Sequence, residues 1–205
     1  QSNSFEITTN PTHANSMTNI SLQTDNAILL NGVKVDLLAA ACFGVGDGKV
    51  GCNDINQPWR YDPMFVANGF RVDSHNAHSQ PNGSYHYHGT PNAFYAEDNS
   101  SVSPVVGFAA DGYPIFGPYI DDNGTVRKIN SSFRLRSGNR ASDATSPGGS
   151  YDGTYRDDYE YVVNHGDLDE CNGMSVDGIY GYYISDGFPY ILTCFKGTPD
   201  PSFNK

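Results

Sequence analysis

The chain has little positive charge and no long hydrophobic run. Only 12 of its 205 residues are Lys or Arg, against 23 Asp or Glu, which gives a formal net charge of −11. Nucleic acids and anionic membranes bind proteins through clustered positive charge, so we expect neither as a partner. No apolar run approaches the roughly 20 residues that a membrane-spanning helix needs, so we expect no membrane insertion.

Common catalytic and cofactor motifs are also absent. The sequence contains no Gly-x-Ser-x-Gly, no phosphate-binding P-loop, no dinucleotide-binding glycine pattern and no His-Glu-x-x-His. Catalytic triads assemble in space rather than in sequence, so these absences leave enzymatic activity open.

Tyrosine and glycine are abundant, with 14 Tyr and 22 Gly. Tyrosine favours strands, whereas Gly and Pro mark turns. The sequence predicts an all-β or mostly β fold, a turn-rich sandwich or barrel-like single domain with long loops. We expect residues 1–17 to form a polar N-terminal arm and residues 18–197 the β domain. Residues 198–205 are predicted to be a C-terminal tail that frays.

The predicted strands are short and separated by turn signals. Asn31-Gly32 and Ala110-Asp-Gly112 are such signals, and residues 136–153 are predicted to form a long loop. Strand-like segments occur at residues 18–22, 27–35, 84–88, 104–109, 113–119, 125–129, 159–163, 178–185 and 189–195.

The four cysteines are Cys42, Cys52, Cys171 and Cys194. An even count without a thiolate cluster favours two disulfides and an oxidising compartment, so we expect a secreted protein, extracellular or periplasmic. Three pairings are possible. We favour Cys42–Cys52 with Cys171–Cys194 because this choice closes the shortest loops.

The most informative segment is residues 73–89, which holds four of the six histidines. His86 and His88 alternate with tyrosines, and residues two apart on a strand face the same side. His78 precedes the turn signal Gln80-Pro-Asn-Gly83 and can fold back toward this pair. Three converging imidazoles predict a copper or zinc site rather than a calcium or magnesium site.

Three more side chains are candidates for positions beside the metal ligands: His75, Asp73 and Asp111. The two aspartates are also candidate general bases. Asp167, Asp169 and Glu170 offer oxygen ligands near a turn and form a weaker candidate site for calcium. Their spacing differs from the twelve-residue calcium loop, and turn hydrogen bonds explain them more simply.

These motifs resemble the YHYH domain family, named for the sequence at Tyr85–His88. The similarity covers about residues 20–197 and extends to four other segments: Asn31–Val33, Ala110–Tyr119, Gly166–Gly173 and Phe188–Phe195. The resemblance implies a secreted protein with metal binding at the histidines. The family pattern has Asn in place of His75 and His in place of Gly181, so neither position is carried over as a ligand.

Three functions are compatible with this sequence. The preferred one is a secreted protein that binds one copper ion through His78, His86 and His88, in copper capture, delivery or redox chemistry. The alternative is a zinc-dependent hydrolase or hydratase, because three-histidine zinc sites lower the pKa of a bound water to about 7. The third is an extracellular matrix or adhesion module with structural histidines. The expected partners are a metal ion and a small-molecule ligand, and the oligomeric state stays open.

Overall fold

The computed structural model describes residues 2–205, which are built almost entirely from strands and turns. The strands are β1 (Thr18–Asn19), β2 (Ala27–Leu29), β3 (Lys34–Val35), β4 (Ala77–Ser79), β5 (Tyr85–Tyr87), β6 (Val105–Ala109), β7 (Pro114–Phe116), β8 (Tyr119–Asp122), β9 (Thr125–Lys128), β10 (Phe133–Leu135), β11 (Tyr159–Tyr161), β12 (Gly173–Val176), β13 (Ile179–Tyr183) and β14 (Cys194–Phe195). The helical elements of this part of the chain are three short 3-10 turns, at Val66–Asn68, Arg156–Asp158 and Pro201–Phe203. None of the described helices is long and apolar enough to cross a membrane. The predicted mostly β fold is confirmed.

Eight strands form one mixed sheet, in the order β12-β13-β7-β6-β2-β3-β5-β4. The edge strands β12 and β4 do not pair with each other, so the sheet is open and does not close into a barrel. The pairs β13–β7 and β3–β5 are parallel, and the other neighbours in this sheet are antiparallel. The remaining strands form three two-stranded sheets: β1 with β14, β8 with β9, and β10 with β11.

Turn residues explain why the strands are short. The segment predicted as one strand at residues 27–35 is a hairpin of β2 and β3, and Gly32 in its turn has a left-handed φ of 79°. The predicted pairing around residues 110–112 is confirmed by β6 and β7, which are antiparallel. Glycine adopts the left-handed region at little cost, so these signals end one strand and start the next. The predicted strand at 189–195 is wrong for residues 189–193, where Tyr190 has a φ of 70° and the chain turns, and right for residues 194–195, which form β14.

One main hydrophobic core lies against the large sheet. Its fully buried side chains include Val35, Ile115 and Tyr182. Both disulfides have the pairing favoured from the sequence, Cys42 with Cys52 and Cys171 with Cys194. The second disulfide belongs to this core, whereas the first closes a glycine-rich loop beside the sheet.

The C-terminal segment is docked on the domain, contrary to the fraying expected of it. Phe203 is fully buried, and its ring centroid lies 4.7 Å from that of Phe5. The backbone N–H of Asp25 donates to the Phe203 carbonyl at 2.9 Å. The Lys205 ammonium forms an ion pair with the Asp36 carboxylate. The buried Phe203 ring, a backbone hydrogen bond and an ion pair therefore anchor a segment whose composition is mostly polar.

The substitution Phe203→Ala should lower the free energy of unfolding by about 3–5 kcal/mol, because it leaves a cavity where a buried ring packed. Val66, which is 92% exposed, provides the matched control, and Val66→Ala should change stability by less than about 0.5 kcal/mol. Urea denaturation of both variants measures the difference. A loss below about 1 kcal/mol for Phe203→Ala would show that the tail is not anchored this way.

Candidate metal centre

The three predicted ligands lie on one hairpin at the edge of the large sheet. β4 and β5 pair in antiparallel fashion, with His78 directly opposite His86. In the connecting turn, the Gly83 N–H donates to the Gln80 carbonyl at 2.9 Å, and Gly83 has a φ of 85°. His88 lies two residues beyond His86, and its backbone N–H continues the ladder by donating to Asn76. Opposed residues and residues two apart share a face, so the three imidazoles project on the same side.

The ring nitrogens converge on one point. Nε2 of His88 lies 3.0 Å from Nε2 of His86 and 3.1 Å from Nε2 of His78. The ring centroids are 4.6 to 4.8 Å apart, and the ring planes are nearly perpendicular. Within residues 2–205, no other group of three or more His, Cys, Asp or Glu side chains brings its ligand atoms close enough to share an ion. The structure therefore brings together the three histidines that the sequence suggested as ligands.

The hydrogen bonds of the Nδ1 atoms determine which ring nitrogen carries the proton in His78 and His86. Nδ1 of His78 lies 3.0 Å from the Phe70 carbonyl oxygen, and Nδ1 of His86 lies 3.4 Å from the Ser84 carbonyl oxygen. A carbonyl only accepts hydrogen bonds, so we assign the proton of each neutral ring to Nδ1 and a lone pair to Nε2. Nδ1 of His88 has no hydrogen-bond partner among the described residues, so without an ion a proton on its Nε2 can be shared with the lone pairs of the other two rings. A cation would take the place of that proton. Carbonyls that orient ligand histidines in this way are typical of metal sites.

Burial keeps two of these rings neutral. His86 and His88 are only 1% and 4% exposed. Burial, with a smaller effect of nearby His78, lowers the pKa of His86 to about 4. Burial and the two neighbouring imidazoles lower the pKa of His88 well below its ordinary value. Since a metal ion binds the neutral form of imidazole, these rings are ready to act as ligands without first losing a proton.

The histidine cluster lines a cavity of about 800 Å³, which we call the histidine cavity. Part of its wall is apolar, as at Leu38 and Phe70. Another part is charged and consists of Asp36, Lys49, Arg71 and Lys205. A cavity of this size admits a small organic molecule next to the ring nitrogens.

Neither His75 nor Asp73 belongs to the cluster. His75 is exposed, and its Nδ1 lies 2.7 Å from Oδ1 of Asn92. Asp73 accepts a hydrogen bond from the Ala77 N–H of β4 and another from the Tyr85 hydroxyl of β5. The bond to Asp73 raises the pKa of Tyr85 to about 12. Asp73 thus links the two strands that carry the histidines, rather than facing the cavity.

Asp111 lies in the main core and not in the wall of the histidine cavity. Its Oδ2 accepts hydrogen bonds from the Tyr182 hydroxyl at 2.6 Å and from the Gly197 N–H at 2.9 Å. The side chain therefore joins β13 to the chain that follows β14, and it does not approach the histidines.

The acidic segment near residue 170 forms ion pairs and turn contacts. Both carboxylate oxygens of Asp167 lie 2.9 Å from the Arg127 guanidinium. Lys196 lies 3.2 Å from Asp169 and 2.9 Å from Glu170. These three carboxylates are not brought together as a ligand group, so the structure offers no support for the calcium site considered from the sequence.

Sequence reasoning missed the four charged residues of the cavity wall: Asp36, Lys49, Arg71 and Lys205. Asp36 follows β3, which runs parallel to β5, and its N–H donates to the Tyr87 carbonyl at 2.9 Å. Burial raises the pKa of Asp36, and the Lys205 ammonium acts in the opposite sense. The polar–apolar alternation of residues 34–36 indicates that the strand pattern extends one residue beyond β3, to Asp36. No local signal indicates that β3 would lie beside β5.

A family model matches most of the chain. The model, described as YHYH protein, covers residues 4–197, which include the histidine hairpin and all four cysteines. No curated protein and no solved structure matches the chain. On the extent of this match, the chain belongs to the YHYH protein family.

Proposed function

We propose that this protein binds one copper ion through His78, His86 and His88, and that it acts in copper capture, delivery or redox chemistry outside the cytoplasm. The observation that carries the proposal is the convergence of three Nε2 atoms on one face of the β4–β5 hairpin. Imidazole suits copper and zinc, and copper leads the affinity order of divalent ions at nitrogen sites. The two disulfides support an oxidising compartment.

The chain supplies several features that a bound ion requires. The strand ladder aligns His78 with His86, and the Phe70 carbonyl orients the His78 ring through Nδ1. Burial holds His86 and His88 neutral. When bound, copper would supply one-electron chemistry at the wall of the histidine cavity.

A zinc-dependent hydrolase or hydratase is the second candidate, and the histidine cavity favours it. Catalytic zinc sites combine three protein ligands with a position open to water or substrate. Asp36 is the single carboxylate residue of the cavity wall, and its Oδ1 is buried without a hydrogen-bond partner among the described residues. Asp36 is therefore a better candidate base than Asp73 or Asp111, which bond elsewhere.

Metal content and activity together separate these functions. The metal content of the protein purified without added metal is measured, and metal-free protein is loaded separately with Cu²⁺ or Zn²⁺ and assayed for esterase and hydratase activity. One copper ion per chain and no activity of the zinc-loaded form are expected. Esterase or hydratase activity of the zinc-loaded form would favour the second candidate, whereas equal-concentration competition would favour copper at either kind of site. If neither ion is retained and a chelator leaves the melting temperature unchanged, the histidines are structural, as in a matrix or adhesion module.

The substitution His86→Ala should weaken copper binding by more than about 100-fold. The loss of groups that merely orient a ligand costs about 10–100-fold, and His86 is a direct ligand in this proposal. His75→Ala removes a nearby histidine outside the cluster, and Tyr87→Phe alters the opposite face, so both should keep wild-type affinity. Competition with a chelator of known affinity measures the three constants. Equal affinities of the His86→Ala and His75→Ala variants would exclude the proposed site.

The metal-free protein should lose stability as the pH falls from about 7 to about 4. An unfolded histidine has a pKa of about 6.5, whereas the pKa of folded His86 is about 4. Over this range the unfolded chain takes up a proton that the folded chain does not, so stability falls with pH. His86 alone accounts for about 3 kcal/mol at pH 4.

Urea denaturation at several pH values tests this expectation. The His86→Gln variant should show a smaller fall in the free energy of unfolding than the wild type, because it lacks the buried ring that resists protonation. Parallel falls in the two proteins would mean that His86 titrates normally and is not held neutral.

A further inference from the structure

We propose that the histidine cavity binds a small organic carboxylate, with the anionic group paired to Arg71 and the hydrocarbon body against the apolar wall. This inference goes beyond the proposed function, because it depends on the wall of the cavity and not on a metal at the three histidines.

The cavity wall is positively charged although the protein is acidic. The chain has 12 Lys and Arg residues against 23 Asp and Glu. Three of those cations line the cavity, Lys49, Arg71 and Lys205, against one carboxylate, Asp36. Three positive charges and one negative charge leave a surplus of two. A concave surface with such a surplus attracts anions.

Arg71 is the cation of this wall whose head group is available. Lys205 forms an ion pair with Asp36. The Lys49 ammonium donates to the carbonyl oxygens of Asn68 and Gly69, at 3.1 and 2.7 Å. Arg71 is exposed, and it forms no hydrogen bond, ion pair or ring contact with the described residues. A guanidinium binds a carboxylate through two parallel hydrogen bonds, so Arg71 is suited to that group.

The backbone at Arg71 is a second, independent observation. Its φ is 58°, in the left-handed region, where Gly and Asn are favoured over a long side chain. Arg71 directly follows Phe70, whose carbonyl oxygen lies 3.0 Å from Nδ1 of His78. Most of the other described non-glycine residues with a positive φ are Asn or Asp, which tolerate that conformation. Arg71 is a cation in this conformation beside a candidate ligand, which supports a role in binding.

The remainder of the wall accepts hydrocarbon. It includes Leu38, Ala39, Ala40 and Phe70, and the cavity volume of about 800 Å³ lies within the range of small-molecule sites. An inorganic anion would contact only the charged part of this wall, and a neutral apolar molecule would contact only the apolar part. A carboxylate with a short hydrocarbon body complements both parts.

Calorimetric titration with hexanoate and with its neutral amide, hexanamide, tests the proposal on the full chain, both metal-free and copper-loaded. We expect hexanoate to bind at least about tenfold more tightly than hexanamide, since a hydrogen bond to a charged acceptor is stronger than one to a neutral acceptor. Arg71→Asn removes the charge but tolerates the left-handed backbone, and it should abolish this preference. Arg71→Lys should keep part of the preference, because it retains charge but not the bidentate geometry.

Several outcomes would overturn the proposal. The first is that hexanoate and hexanamide bind equally well. The second is that the Arg71→Asn variant binds hexanoate as tightly as the wild type and has the same melting temperature. The third is that phosphate binds as tightly as hexanoate. Copper content distinguishes the two proposals. If Arg71-dependent hexanoate binding persists in a protein that retains no copper, the anion site stands and the metal proposal fails. If the protein retains copper but binds hexanoate no more tightly than hexanamide, the metal proposal stands and the anion site fails.

Discussion

The antiparallel register of β4 and β5 is the constraint on which the candidate metal centre depends. Side chains alternate along a strand, so a slip of one residue would turn His78 away from His86. Asp73 holds this register by bonding to Ala77 of one strand and to Tyr85 of the other. On the opposite face Tyr87 is buried in the main core. Packing and hydrogen bonds on the opposite side of the sheet therefore fix the strands that carry the imidazoles, and the Phe70 and Ser84 carbonyls orient the His78 and His86 rings.

The hairpin alone does not make the cavity. The wall also requires the segment at residues 69–71, the end of β3, the docked C-terminus and the chain around Ala39. The Arg60 guanidinium fastens that last segment by donating to the carbonyl oxygens of Ala39 and Cys52, at 2.7 and 3.2 Å. The Cys42–Cys52 disulfide closes the same loop. Cross-links and buried hydrogen bonds thus shape a surface that short strands could not provide.

The charge of the cavity wall has two opposing consequences. Lys205 in the wall, together with Lys34 nearby, disfavours protonation of His86, which adds slightly to the effect of burial and keeps a ligand neutral. The same positive charge repels an incoming metal ion. An anion in the histidine cavity would offset that repulsion, so metal and anion should strengthen each other's binding by the same factor. In this way a cationic cavity in an acidic protein binds the metal ion and the anion together more tightly than it binds either one alone.

Local features of the sequence determined much of this protein. Tyrosine alternation and Asn-Gly or Asp-Gly turns specified short strands, loop length favoured the disulfide pairs, and strand periodicity placed His86 and His88 on one face. These features depend on residues close together in the chain. Only the tertiary structure decided that Asp36, Arg71 and Lys205 surround the histidines, that Asp111 lies in the core and that Phe203 anchors the tail. Those placements follow from the order of strands in the sheet and from long-range packing, which local periodicity and turn chemistry do not encode.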